Sequence, residues 1–404
     1  MPPFLHGCGP CRNTNGTEGH PPSVSDSLIY NAFPCKIREI PFFTEKCMDE
    51  PQIIPLSGNA ARQYIDACAA FRALDRARKE AESVRGTMYW REQSGNEYLI
   101  RQTGGNRQTS LGRRSEKTET IHQNFAQRKA TAETRLGRLE TTVAEHERMN
   151  RALRVGRAPR MLVRILNSLE RWGLAEHFRV VGTHALYAYE AEAGVRFDEP
   201  DAMATKDVDL LWDTRKRLQF VAQMNVLDST LLGLLQKIDP TFQLSEEDRF
   251  TAINADAFQI DIIRREAKEG DDHPLPLTEG RGEEFFAVQA LRAGRLLSSP
   301  PFPTIIMDDM GHMARMTTIA PIDFAEFKEW MSGQESREMI KRRRDALQAV
   351  LVRQLVTDFL PQWKKSDQPP ADTSEDAHNA DQPLATDGDT QARSAPARPR
   401  PPRG

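Results

Sequence analysis

Long apolar runs are missing from this 404-residue chain. None approaches the roughly 18 residues that a membrane-spanning helix needs, and no charged-then-apolar leader opens it. A cytoplasmic location is therefore expected. Cysteine is scarce as well, with five in all. Cys8, Cys11, Cys35 and Cys47 crowd the N-terminus while Cys68 stands apart, and an odd, clustered set argues against a disulfide framework. Cys8-Gly-Pro-Cys11 has the letters of a redox motif, but no strand precedes it and no helix follows. Together with Cys35 and Cys47 it fits no familiar zinc-finger spacing. A strong charge of one sign is lacking too: 55 lysines and arginines face 58 acids, a formal net charge of −3. Such a balance gives no global attraction to nucleic acid, so binding of that kind needs a local basic patch.

Composition divides the rest. Residues 1–55 are rich in Pro, Gly, Asn, Ser and Thr without apolar periodicity and are expected to be disordered, with Met48 as an alternative start of translation. Residues 56–155 read as a helix–hairpin–long-helix module. Tyr64, Ala67, Cys68, Phe71 and Leu74 make a helical stripe. Thr87–Gln93 and Glu97–Gln102 flank a Ser94-Gly95-Asn96 turn, and Arg107–Leu111 is a third strand. Arg91, Arg101, Arg107, Arg113, Arg114 and Lys117 mingle here with Tyr89, Trp90 and Tyr98. That unit either tracks a phosphate backbone while its aromatics stack on bases, or it is a small sheet with a solvated face whose aromatics are its own core.

A long helix over 116–154 carries Leu136, Leu139, Val143, His146, Met149 and Leu153 at near-heptad spacing. It packs within the chain or pairs with a second copy as a homodimer. Residues 156–320 form an α/β domain, with one helix expected from Asp228, as its cap, to Ile238. Residues 321–364 form a helical lobe in which Ile322, Phe324, Phe327 and Trp330 pack and Lys328 lies off that stripe. Residues 365–404 read as a disordered tail.

Chemistry concentrates in the α/β domain. Val180-Val181 runs into Gly182-Thr183 and a helix, and the strand Asp207-Val208-Asp209-Leu210-Leu211-Trp212 follows. Alternation sends Asp207 and Asp209 to one face and Val208, Leu210 and Trp212 to the other. Paired acids repel unless a cation intervenes, and magnesium is the usual hard ion for carboxylates. Asp261 interrupts a second apolar strand, Phe258–Ile263. With the two strands adjacent, three carboxylates converge, which suits two-metal phosphoryl or nucleotidyl transfer.

Gly182-Thr183, Asp207-x-Asp209 and the later Asp261 resemble the signature of the DNA polymerase beta-like nucleotidyltransferase superfamily. GTHALYAYEAEAGVRF, ATKDVDLLWD and NADAFQIDIIR resemble in particular a bacterial branch of nucleotidyltransferase-fold proteins, over about Tyr64 to Leu355. The resemblance implies a mixed sheet flanked by helices, three acids holding two magnesium ions (or manganese), and a glycine turn cradling a nucleoside triphosphate. Thr183 departs from the commoner Gly or Ser, keeping a hydroxyl but losing the closest backbone approach. A lysine and a Lys-Arg-x-x-Asp-x-x-Gln helix of the family match Lys328 and Lys341, Asp345, Gln348, which implies that Lys328 and Lys341 reach the phosphates.

The expected activity is transfer of a nucleoside monophosphate to an acceptor hydroxyl, with pyrophosphate released. Asp207, Asp209 and Asp261 are the catalytic and metal-binding residues on this reading, and Gly182, Thr183, Lys328 and Lys341 hold the nucleotide. The acceptor is an RNA, a protein or a small molecule, including the substrates of a toxin-like modifier. The alternative is a protein that keeps the fold without activity and serves as a nucleic-acid or partner-binding module.

Overall fold

The computed structural model describes residues 52–364 apart from 105–106, 204, 247, 269–272 and 279–284. The expectations for Cys8, Cys11, Cys35, Cys47, Met48 and the C-terminal tail lie outside the described residues, and Cys68 is a buried free thiol.

β1 (Ile53–Pro55) is a short strand paired antiparallel with residues 195–197. α1 (Gly58–Ser83) begins where Ser57 Oγ accepts the Ala60 N–H, satisfying a donor the helix itself leaves open. β2 (Thr87–Gln93), β3 (Asn96–Gln102) and β4 (Gln108–Arg113) form an antiparallel sheet. Ser94 and Gly95, at φ 51° and 72°, make the two-residue turn whose twist matches a hairpin.

α2 (Glu116–Ala152) is opened by a reciprocal cap between Ser115 and Thr118. It covers one face of the small sheet. Trp90 lies 5.8 Å from the His122 ring, and the Arg101 guanidinium sits 4.1 Å over Phe125. Residues of the near-heptad stripe are used inside the chain: Val143 is buried, and Leu136 and Leu139 join Phe71 and Leu74 of α1 in one core. Met149 and Leu153 stay 42% exposed.

α3 (Arg160–Arg171) buries Leu162, Ile165, Leu166 and Leu169, and the chain turns away just beyond it at Gly173, φ 69°. β5 (Phe178–Val181) passes through one 3-10 turn, Gly182–Ala185, into α4 (Leu186–Ala193). β6 (Val195–Phe197), the partner of β1, precedes α5 (Pro200–Met203), β7 (Asp207–Trp212) and α6 (Arg217–Leu227). The helix expected from Asp228 begins later, as α7 (Leu231–Ile238). Thr230 caps it, Oγ1 accepting the Gly233 N–H at 3.1 Å, while Asp228 takes a left-handed conformation, φ 46°, that ends α6. Asp tolerates that conformation better than most side chains, so it terminates one helix instead of starting the next.

β8 (Gln243–Leu244), β9 (Thr251–Ile253), β10 (Gln259–Arg264), β11 (Leu275–Pro276) and β12 (Phe286–Gln289) complete a seven-stranded mixed sheet. Its order is β11-β12-β10-β7-β5, with β9 also on β10 and β8 on β9. After α8 (Ala293–Ser298), β13 (Pro301–Met307) and β14 (Met313–Ile319) make a hairpin, and α9 (Pro321–Ser332) packs on α10 (Met339–Asp358). The fold is the expected mixed α/β sheet with helices, an N-terminal helix–hairpin–long helix and a C-terminal helix pair.

α1 and α2 join this body through polar groups. Gln63 Nε2 donates to Asn150 Oδ1 at 2.9 Å, Asn150 Nδ2 donates to Gly311 O at 3.1 Å, and both side chains are buried. Gly311 has φ 87°, and a Cβ there would strike the backbone of Glu147 and Arg151. Asn150→Ala leaves the Gln63 amide without its Asn150 acceptor and a carbonyl without its donor. A loss of about 1–3 kcal/mol is expected, read as a lower urea midpoint with an unchanged m-value.

Candidate active site

β7 and β10 run side by side in parallel, and their register sets Asp207 against Gln259 and Asp209 against Asp261. Val208, Leu210 and Trp212 on one strand and Ile260 and Ile262 on the other are buried on the opposite face. The apolar alternation therefore forces Asp209 and Asp261 onto one face as direct neighbours, on strands about 4.8 Å apart. Asp207 lies one pleat away on the same side.

The pairing of Val181 with Asp209 brings the following turn onto this face. Gly182 has φ 65°, and a Cβ there would collide with Asp209 Oδ2. Glycine is required on both counts. Thr183 is buried, and its Oγ1 accepts a hydrogen bond from Gln348 Nε2 at 3.0 Å; the same amide donates to Ala202 O at 2.6 Å. α10 is thereby tied to the glycine turn.

Cations stand behind the acids. Lys328, expected off the packing stripe of α9, is 4% exposed and donates to Asp345 Oδ1 at 2.8 Å. Arg337, in the turn between α9 and α10, donates from Nε to the other oxygen of Asp345, which is fully buried. Burial pulls the Lys328 ammonium below its ordinary pKa, against the restoring attraction of Asp345 and Asp209. Lys341 is exposed on the first turn of α10, 3.4 Å from Glu338 Oε1.

Burial pushes the Asp209 carboxyl up to about 7; Asp261 and Asp207 push the same way, while Lys328 and Arg337 oppose them. Asp261 is also raised, by burial first, although Thr251 Oγ1 donates to its Oδ1 at 2.6 Å. Asp207 accepts from the Thr205 hydroxyl. Two of the three acids thus point at threonines. Among the described residues no three acids, histidines or cysteines are gathered at metal-ligand spacing, so the three carboxylates share a face without converging on one point. Behind Asp207, burial pushes the His184 imidazole down to about 4, so the ring is neutral where it packs 6.2 Å from Phe258. Three carboxylates on one face supply hard oxygen donors, the chemistry that suits magnesium or manganese.

A nucleotidyltransferase family profile matches residues 160–368, more than half of the chain. The protein belongs to the nucleotidyltransferase family. No curated protein and no solved structure matches it. The matched segment contains each of the acids, the glycine turn and both α9 and α10.

Sequence reading missed Arg337, Thr251 and Thr205. Arg337 lies between helices with no periodic signal. The threonines matter only because the strand register aims them at Asp261 and Asp207; a Thr two residues before Asp207 was the one local hint.

A raised carboxyl contributes stability that is full below its unfolded pKa and lost as the pH rises through the folded value. Without metal, Asp209→Asn should therefore raise Tm most above pH 7. The gain should shrink as the pH falls from about 7 toward the ordinary carboxylate value. Melting curves in chelator across that range check it, and a pH-independent difference would refute the assignment.

Proposed function

We propose that this nucleotidyltransferase moves a nucleoside monophosphate from a nucleoside triphosphate to an acceptor hydroxyl and releases pyrophosphate. The observation that carries this reading is the in-register pairing of Asp209 with Asp261 beside the glycine turn. Asp207, Asp209 and Asp261 would hold the divalent cations. Magnesium or manganese bound there supplies neutralisation of phosphate charge and a lowered pKa for the acceptor hydroxyl.

The chain's own groups divide the remaining work. The acceptor oxygen bonds to the α-phosphorus as the α–β phosphoanhydride bond breaks, and Asp261 takes the acceptor's proton. Its raised proton affinity suits a general base, and Thr251 fixes one of its oxygens. The Gly182 turn lets the triphosphate approach the backbone. Gln348 occupies a lone pair of Thr183 Oγ1, so the threonine's own proton is free to go to a phosphate oxygen. Lys328 and Arg337 face Asp209 electrostatically and offset the charge growing on pyrophosphate. Lys341, exposed on α10, is assigned to the outer phosphates.

Incubation with α-labelled nucleoside triphosphates, magnesium and cell extract identifies the base and the acceptor together. Asp261→Asn should retain most nucleotide affinity by calorimetry, because Asp207, Asp209 and the turn persist. Single-turnover labelling should fall about 10²–10⁴-fold, the range for a lost general base. Equal labelling by wild type and Asp261→Asn would remove Asp261 from the mechanism, and absence of nucleotide binding with either metal would remove the transfer reading itself.

A further inference from the structure

The register of β2, β3 and β4 sorts their side chains into two unlike faces. Met88, Trp90, Glu92, Glu97, Leu99 and Arg101 share the face that packs on α2. Tyr89, Arg91, Tyr98, Ile100, Gln108 and Ser110 share the other, where Arg91, Gln108 and Ser110 are exposed and the two tyrosines half-buried around buried Ile100. Gln93 and Asn96 fall on this open face as well. Arg91 Nη2 donates to Tyr89 Oη and to Gln108 Oε1, each at 2.7 Å, and Arg113 stands opposite Tyr98. Both strand carboxylates, Glu92 and Glu97, fall on the covered face. The open face therefore carries two arginines, two aromatic rings and a set of amides, with no acid among its strand residues.

We infer that this face binds single-stranded RNA. Tyr98, half-buried on the strand beside Tyr89, offers its ring to an unpaired base, and such stacking tolerates any base; the Arg91 guanidinium lies 5.6 Å over the Tyr89 ring and extends that platform. Arg91 and Arg113 meet phosphates, and a face with no acid among its strand residues suits a polyanion despite the chain's net charge of −3. Neutral amides outnumber the cations, and each finds a donor and acceptor in the 2′-hydroxyl, which favours RNA over DNA. An acidic peptide would satisfy the arginines but leave the rings unused.

The face sits at the far end of an arm. α1 and α2 run antiparallel, with Gln63 beside Asn150, Glu80 beside Arg135 and the Gly86 carbonyl beside Lys129. They meet the body near Tyr64, Asp75 and Asn150, and the 37-residue α2 spans about 55 Å. The binding does not depend on the transfer reaction.

Fluorescence anisotropy of the full chain with a labelled oligouridine of about 15 nucleotides tests it. Wild type should bind this strand more tightly than the same deoxy strand or an RNA duplex. Tyr98→Ala should weaken binding about 5- to 100-fold and Tyr98→Phe should restore it. Arg91→Gln, at an exposed position, should flatten the slope of log K against log salt by about 1. Asp209→Asn should bind RNA as wild type does, which separates this result from the transfer chemistry. Lack of binding by wild type overturns the inference, as does indifference to both Tyr98→Ala and Arg91→Gln. Equal affinity for DNA or duplex, or displacement by polyglutamate as readily as by RNA, also overturns it.

Discussion

Two carboxylates held side by side on parallel strands are the constraint around which this protein is arranged. The strands cannot separate, because the other face of each is packed into the core through Val208, Leu210, Trp212, Ile260 and Ile262. Asp209 and Asp261 cannot leave that face without turning the strands over. What remains adjustable is their charge and their partners: a threonine hydroxyl for Asp261, a glycine turn against Asp209, and cations from the C-terminal helices.

The C-terminal helix pair is thus part of the site rather than an appendage. Asp345 is fully buried and would be an expensive isolated charge, but Lys328 and Arg337 engage its two oxygens. Removing Asp345 would leave the buried Lys328 ammonium and Arg337 without their shared partner. The same arrangement leaves a positive field directed at Asp209, while Gln348, one helical turn beyond Asp345, grips Thr183 and Ala202. Movement of α10 would shift the cations and the glycine turn together.

The N-terminal arm is governed by close backbone approach. Gly311 lets the β13–β14 turn touch α2, and at Gly156 a Cβ would collide with the Met307 carbonyl. The buried Gln63–Asn150 pair then fixes the register of α1 and α2 against the body, so the small sheet is carried at a defined end.

Much of this was legible in the chain alone. Alternation in Asp207–Trp212 and Phe258–Ile263 is a local property, and it determined which face the three acids share. The Ser94-Gly95 turn, the Gly173 stop and the long α2 were likewise readable, because turns and helix ends depend on neighbours in sequence. Tertiary structure alone decided that β7 and β10 are adjacent and in parallel register, that Lys328 is buried on Asp345 while Lys341 is exposed, and that Arg337 joins the site. It also decided that Trp90 packs against α2 while Tyr89 and Tyr98 line an open face. Those outcomes depend on which surfaces meet at long sequence separation, where burial and charge pairing, and not local propensity, carry the free energy.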